Sequence, residues 1–308
     1  MKLALEFLRG KGIEFGRGAH NPLAPDNCIS IAPCNGVEYM EENDLDDYRY
    51  HFSLQMHYHS SVTRVDVVAE ADQIPFIEDN SLDYIATSHV LEHIPDIFSA
   101  WHEWWRVLKP GGVNFMIVPK RIALEDDTIR PISSLNDFTN AFIRKIKPKD
   151  LPDMPWRGHY HVFTLQSLLD AVNWYNQQGM GMWELAALEE SDTKVGNGHT
   201  LVLKKTLHLP DIQDTAMLLG QFFSDDDHVK TKEAAKQILS LNFRIHEAWF
   251  MLAIAELSTG ETQAAIQAIT QALILQPRNI EYNSIYQNIT KCAFQYPTSL
   301  IDYYARMI

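Results

Sequence analysis

Apolar positions along this chain change period several times, and the clearest change lies between Asp83 and Pro119. Tyr84, Ile85, Ala86 and Thr87 form a short β-rich run, after which Phe98, Trp101, Trp104, Trp105 and Leu108 recur at helical spacing. Lys109, Pro110, Gly111 and Gly112 predict a sharp stop, because proline cannot continue a helix and paired glycines allow the chain to turn back. Val113 to Val118 reads as a second buried strand. Strand, helix and strand of these lengths make a βαβ crossover, which implies a parallel sheet covered on both faces. Ligands of such sheets bind outside the carboxyl ends of the strands, where the loop Ser88 to His93 falls.

The same reading extends in both directions. Ile13 to Phe15, Asn27 to Pro33 and Val65 to Ala69 read as earlier strands, and residues 134–146 as a helix. Thr164 is a fitting N-cap for the run Leu165, Leu168, Leu169, Val172. Met182 to Leu188 and Thr200 to Lys204 supply two more strands, with Gly196, Asn197 and Gly198 suited to the turn between them. After Leu209 and Pro210 the pattern is helical to the end, so domains are expected at 1–209 and 210–308.

Composition narrows the class. The 308 residues are 46% hydrophobic, enough to bury a sizeable core, and carry a net charge of -14, which argues against a nucleic-acid partner. The basic group Arg144, Lys145, Lys147 and Lys149 reads as a solvated face. Cys28, Cys34 and Cys292 have no metal-ligand spacing and read as reduced thiols. Charges interrupt the apolar start Met1 to Arg9, and no run approaches the roughly 18 apolar residues of a membrane span, so a cytoplasmic location is expected. Residues 36–61 are acidic and aromatic; His51, His57 and His59 lie among or beside them without a carboxylate or cysteine at a diagnostic spacing, and no metal is expected.

A series of short motifs in one order carries a resemblance. Ile74-Pro75-Phe76, Asn80-Ser81-Leu82-Asp83, Leu91-Glu92-His93 and Arg106 to Gly112 follow a glycine-bearing turn, Gly12 to Pro22. Four such elements in register resemble a class I S-adenosylmethionine (SAM) dependent methyltransferase domain of the type 11 kind. That resemblance implies an α/β fold, a Rossmann-like seven-stranded mostly parallel sheet flanked by helices, with SAM as cofactor and S-adenosylhomocysteine as product. By likeness, Glu14 is the acid near the methionine end of SAM, and Gly16 and Gly18 leave room for its carboxylate and ribose. The family ends strand two with an acid that accepts from both ribose hydroxyls, whereas the matching position here is Ala32; Ser30, Cys34 and Asn35 are the nearby polar substitutes. Glu70, followed by Ala71, takes the place of the adenine-binding acid, and Ser88 and His89 stand at the end of strand four. The turn Ala19, His20, Asn21, Pro22 resembles a bacterial subgroup associated with sugar and cell-surface polysaccharide pathways, which implies a small-molecule hydroxyl acceptor.

Methyl transfer from a sulfonium needs alignment of donor and acceptor and, for an alcohol, removal of a proton. Histidine suits that proton near neutral pH, and the candidates for the base are His159 and His161, with His93 behind them. In the C-terminal region Trp249, Leu252, Ala253, Glu256, Gly260, Ala265, Ile269, Ala272 and Pro277 fall on the positions of a tetratricopeptide repeat (TPR), flanked by degenerate neighbours. A TPR-like all-α domain implies a protein partner or self-association, while a capping extension that only stabilises fits the same residues. Two rival readings stay open: a catalytically degenerate SAM-fold protein acting as a TPR-mediated interaction module, and a protein methyltransferase.

Overall fold

The computed structural model describes residues 2–17, 23, 28–33, 65–151, 158–208, 211–297 and 300. Gly18, the turn from Ala19 to Pro22, Cys34, Asn35, the segment 36–61 with His51, His57 and His59, and the expected boundary at Leu209 and Pro210 lie outside these residues. Of the remaining cysteines, Cys28 is buried and Cys292 exposed, and both are free thiols.

The strands are β1 (Gly12–Phe15), β2 (Ile29–Ala32), β3 (Val67–Val68), β4 (Leu82–Ser88), β5 (Leu108–Pro119), β6 (Trp183–Glu189) and β7 (Gly198–Lys205). They form one seven-stranded sheet in the order β3-β2-β1-β4-β5-β7-β6. The first five are parallel, and β7 inserts antiparallel between β5 and β6. The order therefore reverses between β1 and β4. A parallel sheet offers its ligand crevice outside the carboxyl ends of the strands at such a switch point. Because β7 runs the other way, Gly198 pairs with Pro119, and the β6–β7 loop lies on that same edge.

The crossover helix α2 (Ile97–Val107) begins where Asp96 accepts from Ser99 N at 3.0 Å, and its residues Phe98, Trp101, Trp104 and Val107 are fully buried. It stops at Val107, before the predicted breaker, and Lys109 to Gly112 form an irregular start to β5. Close backbone approach explains the glycine there: a Cβ on Gly112 would meet the Lys109 carbonyl at 2.9 Å and the Leu82 and Asp83 carbonyls at 3.1 Å. Arg106 ties this helix to the loop after β3, donating to the Ile74 and Ile77 carbonyls at 3.0 and 2.8 Å, while Trp104 Nε1 donates to the Ala71 carbonyl at 2.8 Å.

The carbonyls at the end of α2 are met by a lysine from β7. Lys205 is 2% exposed, and its Nζ donates to the Trp105 and Leu108 carbonyls at 2.7 and 2.8 Å and to Asn80 Oδ1 at 2.8 Å. A cation at a helix C-terminus also complements the macrodipole. Burial holds its pKa below the usual lysine range.

Further helices are α1 (Lys2–Phe7), α3 (Glu125–Ile129), α4 (Leu135–Arg144) and α5 (Leu165–Gln177). The expected Thr164 cap on α5 is present, its side chain accepting from Ser167 N at 3.1 Å. The chain then continues through α6 (Ile212–Ser224), α7 (His228–Leu241), α8 (His246–Ser258), α9 (Thr262–Leu275) and α10 (Ile280–Thr290), each packed on the next. Trp249, Leu252, Ala253, Ala265, Ile269 and Ala272, picked out by their spacing, are all buried there. One hydrophobic cluster runs from the sheet through these helices. Polar contacts cross the same seam: Leu185 N donates to Ser240 Oγ at 2.7 Å, and Asn176 Nδ2 donates to the Ser240 carbonyl at 2.9 Å.

Replacing Lys205 by Ala leaves the buried Leu108 carbonyl and the half-buried Trp105 carbonyl without their donor, at about 1–3 kcal/mol for each unsatisfied group, while the exposed Asn80 can turn to water. Urea unfolding is expected to show a loss of about 3 kcal/mol or more, with Lys205→Met recovering only the packing of the stem. A second test concerns Glu256, whose carboxyl is 5% exposed and pushed up to about 7 by burial. Between pH ~4.5 and ~7 the unfolded chain releases a proton that the native chain keeps, so stability falls as pH rises, by roughly 1.4 kcal/mol per unit of pKa difference. Glu256→Gln is expected to flatten that slope in unfolding titrations at pH 5 and 7.

Candidate functional site at the carboxyl edge of the sheet

Glu14, at the end of β1, is 2% exposed; its Oε1 accepts from Leu23 N at 2.8 Å and its Oε2 stands 3.5 Å from Arg17 Nε. The carboxylate thus ties Leu23 to the end of β1 while remaining at the switch point. Gly16 adopts φ +61, and a Cβ there would lie 2.7 Å from Val90 Cγ2, so the turn has room for backbone only. Ala32 closes β2 without an acid. Glu70 and Ala71 lie just beyond β3, in the loop that Trp104 and Arg106 hold down.

Ser88 and His89 leave β4 beneath the β6–β7 loop. Asp192 shapes that loop: its carboxylate accepts from the backbone N–H groups of Lys194, Val195, Gly196 and Gly198. Burial raises the Asp192 pKa, and these donors outweigh it and hold the group below its ordinary value. Lys194 is thereby presented to Ser88, donating to its Oγ at 3.0 Å. Sequence spacing did not single out Lys194; an Asp four residues before the Gly196–Gly198 turn was the available signal. His89 has φ +56, a strained conformation for a residue with a side chain. Burial, reinforced by the Lys194 charge, brings its pKa down to about 4.

Beyond His89 a 3-10 turn, Leu91–His93, buries Glu92 completely. The Tyr160 N–H donates to the Glu92 carbonyl at 2.8 Å and brings the segment 158–161 onto this turn. His93 and His159 meet edge to face, with ring centroids 4.9 Å apart. His159 Nδ1 lies 2.5 Å from Asp127 Oδ2 on α3, and Asp127 in turn receives Arg130 at 2.7 Å. Imidazole nitrogens of His89, His93 and His159 surround Glu92 Oε1 at 3.8, 3.6 and 3.8 Å. Burial pushes the Glu92 carboxyl up to about 8.

His161 is placed differently from its two neighbours in the candidate set. It is 6% exposed, packs between Phe138 and Phe163, and donates from Nε2 to the Pro95 carbonyl at 2.9 Å. Burial lowers its pKa to about 4. Its geometry is that of a core histidine. Sequence spacing brought out His93 and His159 but missed Asp127, which stood within a polar stretch after β5.

Residues 29–116 match the family pattern of a methyltransferase domain. That stretch holds the β2–β5 part of the sheet and the Glu92 turn. Among curated proteins, the ubiquinone/menaquinone biosynthesis C-methyltransferase UbiE of Rickettsia bellii is 38% identical over 82 residues, covering 27% of this chain and 29% of the relative. A demethylmenaquinone methyltransferase of Listeria welshimeri is 33% identical over 78 residues, covering 25% of this chain and 29% of the relative. The chain thus spans under a third of the length of these relatives. Among solved structures, a SAM-dependent methyltransferase of Methanosarcina mazei aligns over 68% of this chain and 99% of its own, at 18% identity and a TM-score of 0.39.

The Gly16 turn supplies a direct check on this edge. Gly16→Ala forces a side chain into a left-handed backbone against Val90 and is expected to cost about 1–3 kcal/mol in urea unfolding. Adding Val90→Ala should recover part of the loss, the part due to overlap, whereas simple additivity of the two changes would contradict the close approach.

Proposed function

We propose that this chain is a SAM-dependent methyltransferase whose acceptor is a small molecule bearing a hydroxyl group. The observation that carries the reading is the methyltransferase-domain match at residues 29–116, falling on a sheet of order β3-β2-β1-β4-β5-β7-β6 with an open-backbone turn at its switch point. SAM, when bound, supplies an electrophilic methyl group on a sulfonium. The residues around it would hold and shield it. Glu14 fixes the β1 turn, Gly16 lets the backbone come close, Ser88 and His89 border the crevice, and Ala71 and Glu70 offer backbone and carboxylate to the base. Ala32 offers no oxygen to the ribose, so Glu70 carries a larger share of recognition than it does where strand two ends in an acid.

On the acceptor side, the Glu92, His93 and His159 cluster is the place where a hydroxyl proton would be handled, with Asp127 fixing the His159 ring. His161 serves that wall by packing. The helices after residue 211 act as a TPR-like support. They share the core of the sheet and close one side of a cavity of about 520 Å³ between Lys120, His199 and Gln166 on one flank and Thr270, Ile274 and Tyr286 on the other. Among the described residues no helix is long and apolar enough to cross a membrane.

Calorimetric titration with SAM and with S-adenosylhomocysteine tests the donor half. Saturable binding is expected, weakened about tenfold or more by Glu70→Ala, since a hydrogen bond to a charged group is worth about 1.5–3 kcal/mol. Absence of binding in folded protein would overturn the reading. Labelled methyl groups appearing in protein rather than small-molecule fractions would reassign the acceptor.

A further inference from the structure

Proton handling for methyl transfer does not by itself explain why Glu92 is buried without a hydrogen-bond partner. Its carboxylate is 0% exposed, and neither oxygen has a hydrogen-bond partner among the described residues. Orphaned carboxylates are not normally buried, because ionisation away from water costs several kcal/mol. The two imidazoles nearest the segment 158–161, His93 and His159, do not supply the missing donors, and His89 Nδ1 at 3.8 Å is beyond hydrogen-bond length. His93 Nδ1 faces the Gly158 carbonyl at 3.2 Å, and a carbonyl only accepts, so Nδ1 carries the proton. His159 Nδ1 faces Asp127 Oδ2 at 2.5 Å and donates to it. In their neutral forms both rings therefore turn a lone pair on Nε2 towards Glu92 Oε1, at 3.6 and 3.8 Å.

Three acceptors converging on one point repel one another unless positive charge lies between them. A shared proton would satisfy one pair, but 3.6–3.8 Å exceeds the 2.7–3.2 Å of a hydrogen bond. It is close to the separation of two ligands on one metal ion. At metal–ligand lengths of about 2.1 Å, neighbouring donors of a tetrahedral ion stand roughly 3.4 Å apart. One ligand atom from each of Glu92, His93 and His159 lies within 4.8 Å of the other two, so shortening these separations by at most about 1.4 Å brings all three onto one centre.

We propose that Glu92, His93 and His159 form a binding site for a divalent transition-metal ion of the zinc class. The outer contacts fit that role. A ligating histidine ordinarily donates its other N–H to a carboxylate or a backbone carbonyl, which fixes the ring and strengthens the donor nitrogen. Asp127 does this for His159 and the Gly158 carbonyl does it for His93. Asp127 is itself 2% exposed, paired with Arg130, while Arg130 Nη2 donates to the Tyr160 carbonyl at 3.1 Å and Arg121 Nε to the Asp127 carbonyl at 3.1 Å. Two imidazoles and one carboxylate select zinc, iron, cobalt or nickel over magnesium and calcium, which favour all-oxygen sites. Three protein ligands leave coordination positions open, the arrangement of a reactive rather than a structural site. Where the reading under Proposed function holds, an acceptor hydroxyl could take an open position and lose its proton more readily.

The site does not depend on that reading, and its test reads metal rather than turnover. Full-length protein treated with chelator and desalted is titrated with zinc chloride by calorimetry, and with cobalt chloride by visible absorption. One ion per chain is expected, with cobalt bands of low-symmetry nitrogen and oxygen ligation. His93→Ala, His159→Ala and the near-isosteric Glu92→Gln should each weaken binding at least about tenfold, and Asp127→Asn by roughly 10- to 100-fold. His102→Ala, on the exposed side of α2, should leave it unchanged. Circular dichroism establishes that each variant is folded, and Glu92→Gln keeps the side-chain shape should an alanine variant fail. Absence of binding by the parent chain, or binding undiminished in the folded site variants, would overturn the proposal. A SAM titration that fails while metal binds would remove the methyl-transfer reading and leave the metal site standing.

Discussion

Burial of helix α2 is the constraint from which the rest of the architecture follows. Its inward face carries Phe98, Trp101, Trp104 and Val107, all fully buried, and their removal from water contributes about 1.5–3 kcal/mol for each large side chain. A helix so wrapped has nowhere to send its polar groups except into neighbouring segments. Trp104 Nε1 therefore reaches the Ala71 carbonyl, Trp105 Nε1 the Met182 carbonyl, and Arg106 the carbonyls of the loop after β3. Each contact satisfies a donor of α2 and at the same time positions a segment that matters elsewhere. The loop bearing Glu70 is held from beneath by α2, and the approach to β6 is set by Trp105.

The same helix connects the sheet to the C-terminal helices. Lys205 at the end of β7 closes the carbonyls of α2, and β7 fixes β6, on which α7 packs through Ser240. A free-standing helical array would bury its own faces and meet the sheet through a polar seam. Here a single hydrophobic cluster contains Trp183 and Leu185 of β6 together with Ile238, Leu239 and Trp249. Arg244 adds an ion pair to Asp170 of α5 across the same boundary. The helices are thus part of the core that holds the last two strands in place.

Much of the fold was legible because it rests on local signals. The period change from Tyr84 to Trp105, the Thr164 cap and the turn at Gly196 to Gly198 all depend on residues near one another in sequence. The breaker Lys109 to Gly112 was read correctly as ending the helix but not as part of β5, since the reason for Gly112 is the approach of the Leu82 and Asp83 carbonyls, some thirty positions earlier. The site was less legible for the same reason. His93 and His159 stood out singly by residue type, whereas their relation is made by the Tyr160 backbone bond to Glu92 and by Asp127 on a short helix. Spacing along the chain carries no trace of a cluster assembled from three separate segments. His161 shows the converse: its type and position matched those of a base, yet a bend at Tyr160 turns residue 161 into the Phe138 and Phe163 layer while residue 159 faces Glu92, where regular extended chain would have kept both on one side.

That bend links packing to chemistry. The backbone bond from Tyr160 to the Glu92 carbonyl fixes the segment, and the aromatic layer around His161 fixes its rotation. His159 is then left no freedom except about its own side chain, which Asp127 removes. The buried carboxylate of Glu92 is consequently flanked by two rings, His93 and His159, that cannot turn a donor towards it without breaking another contact. A site of this kind gains its affinity for positive charge from rigidity: the cost of gathering three repelling acceptors is met by folding, through contacts well outside the cluster, and is recovered when a cation reaches them.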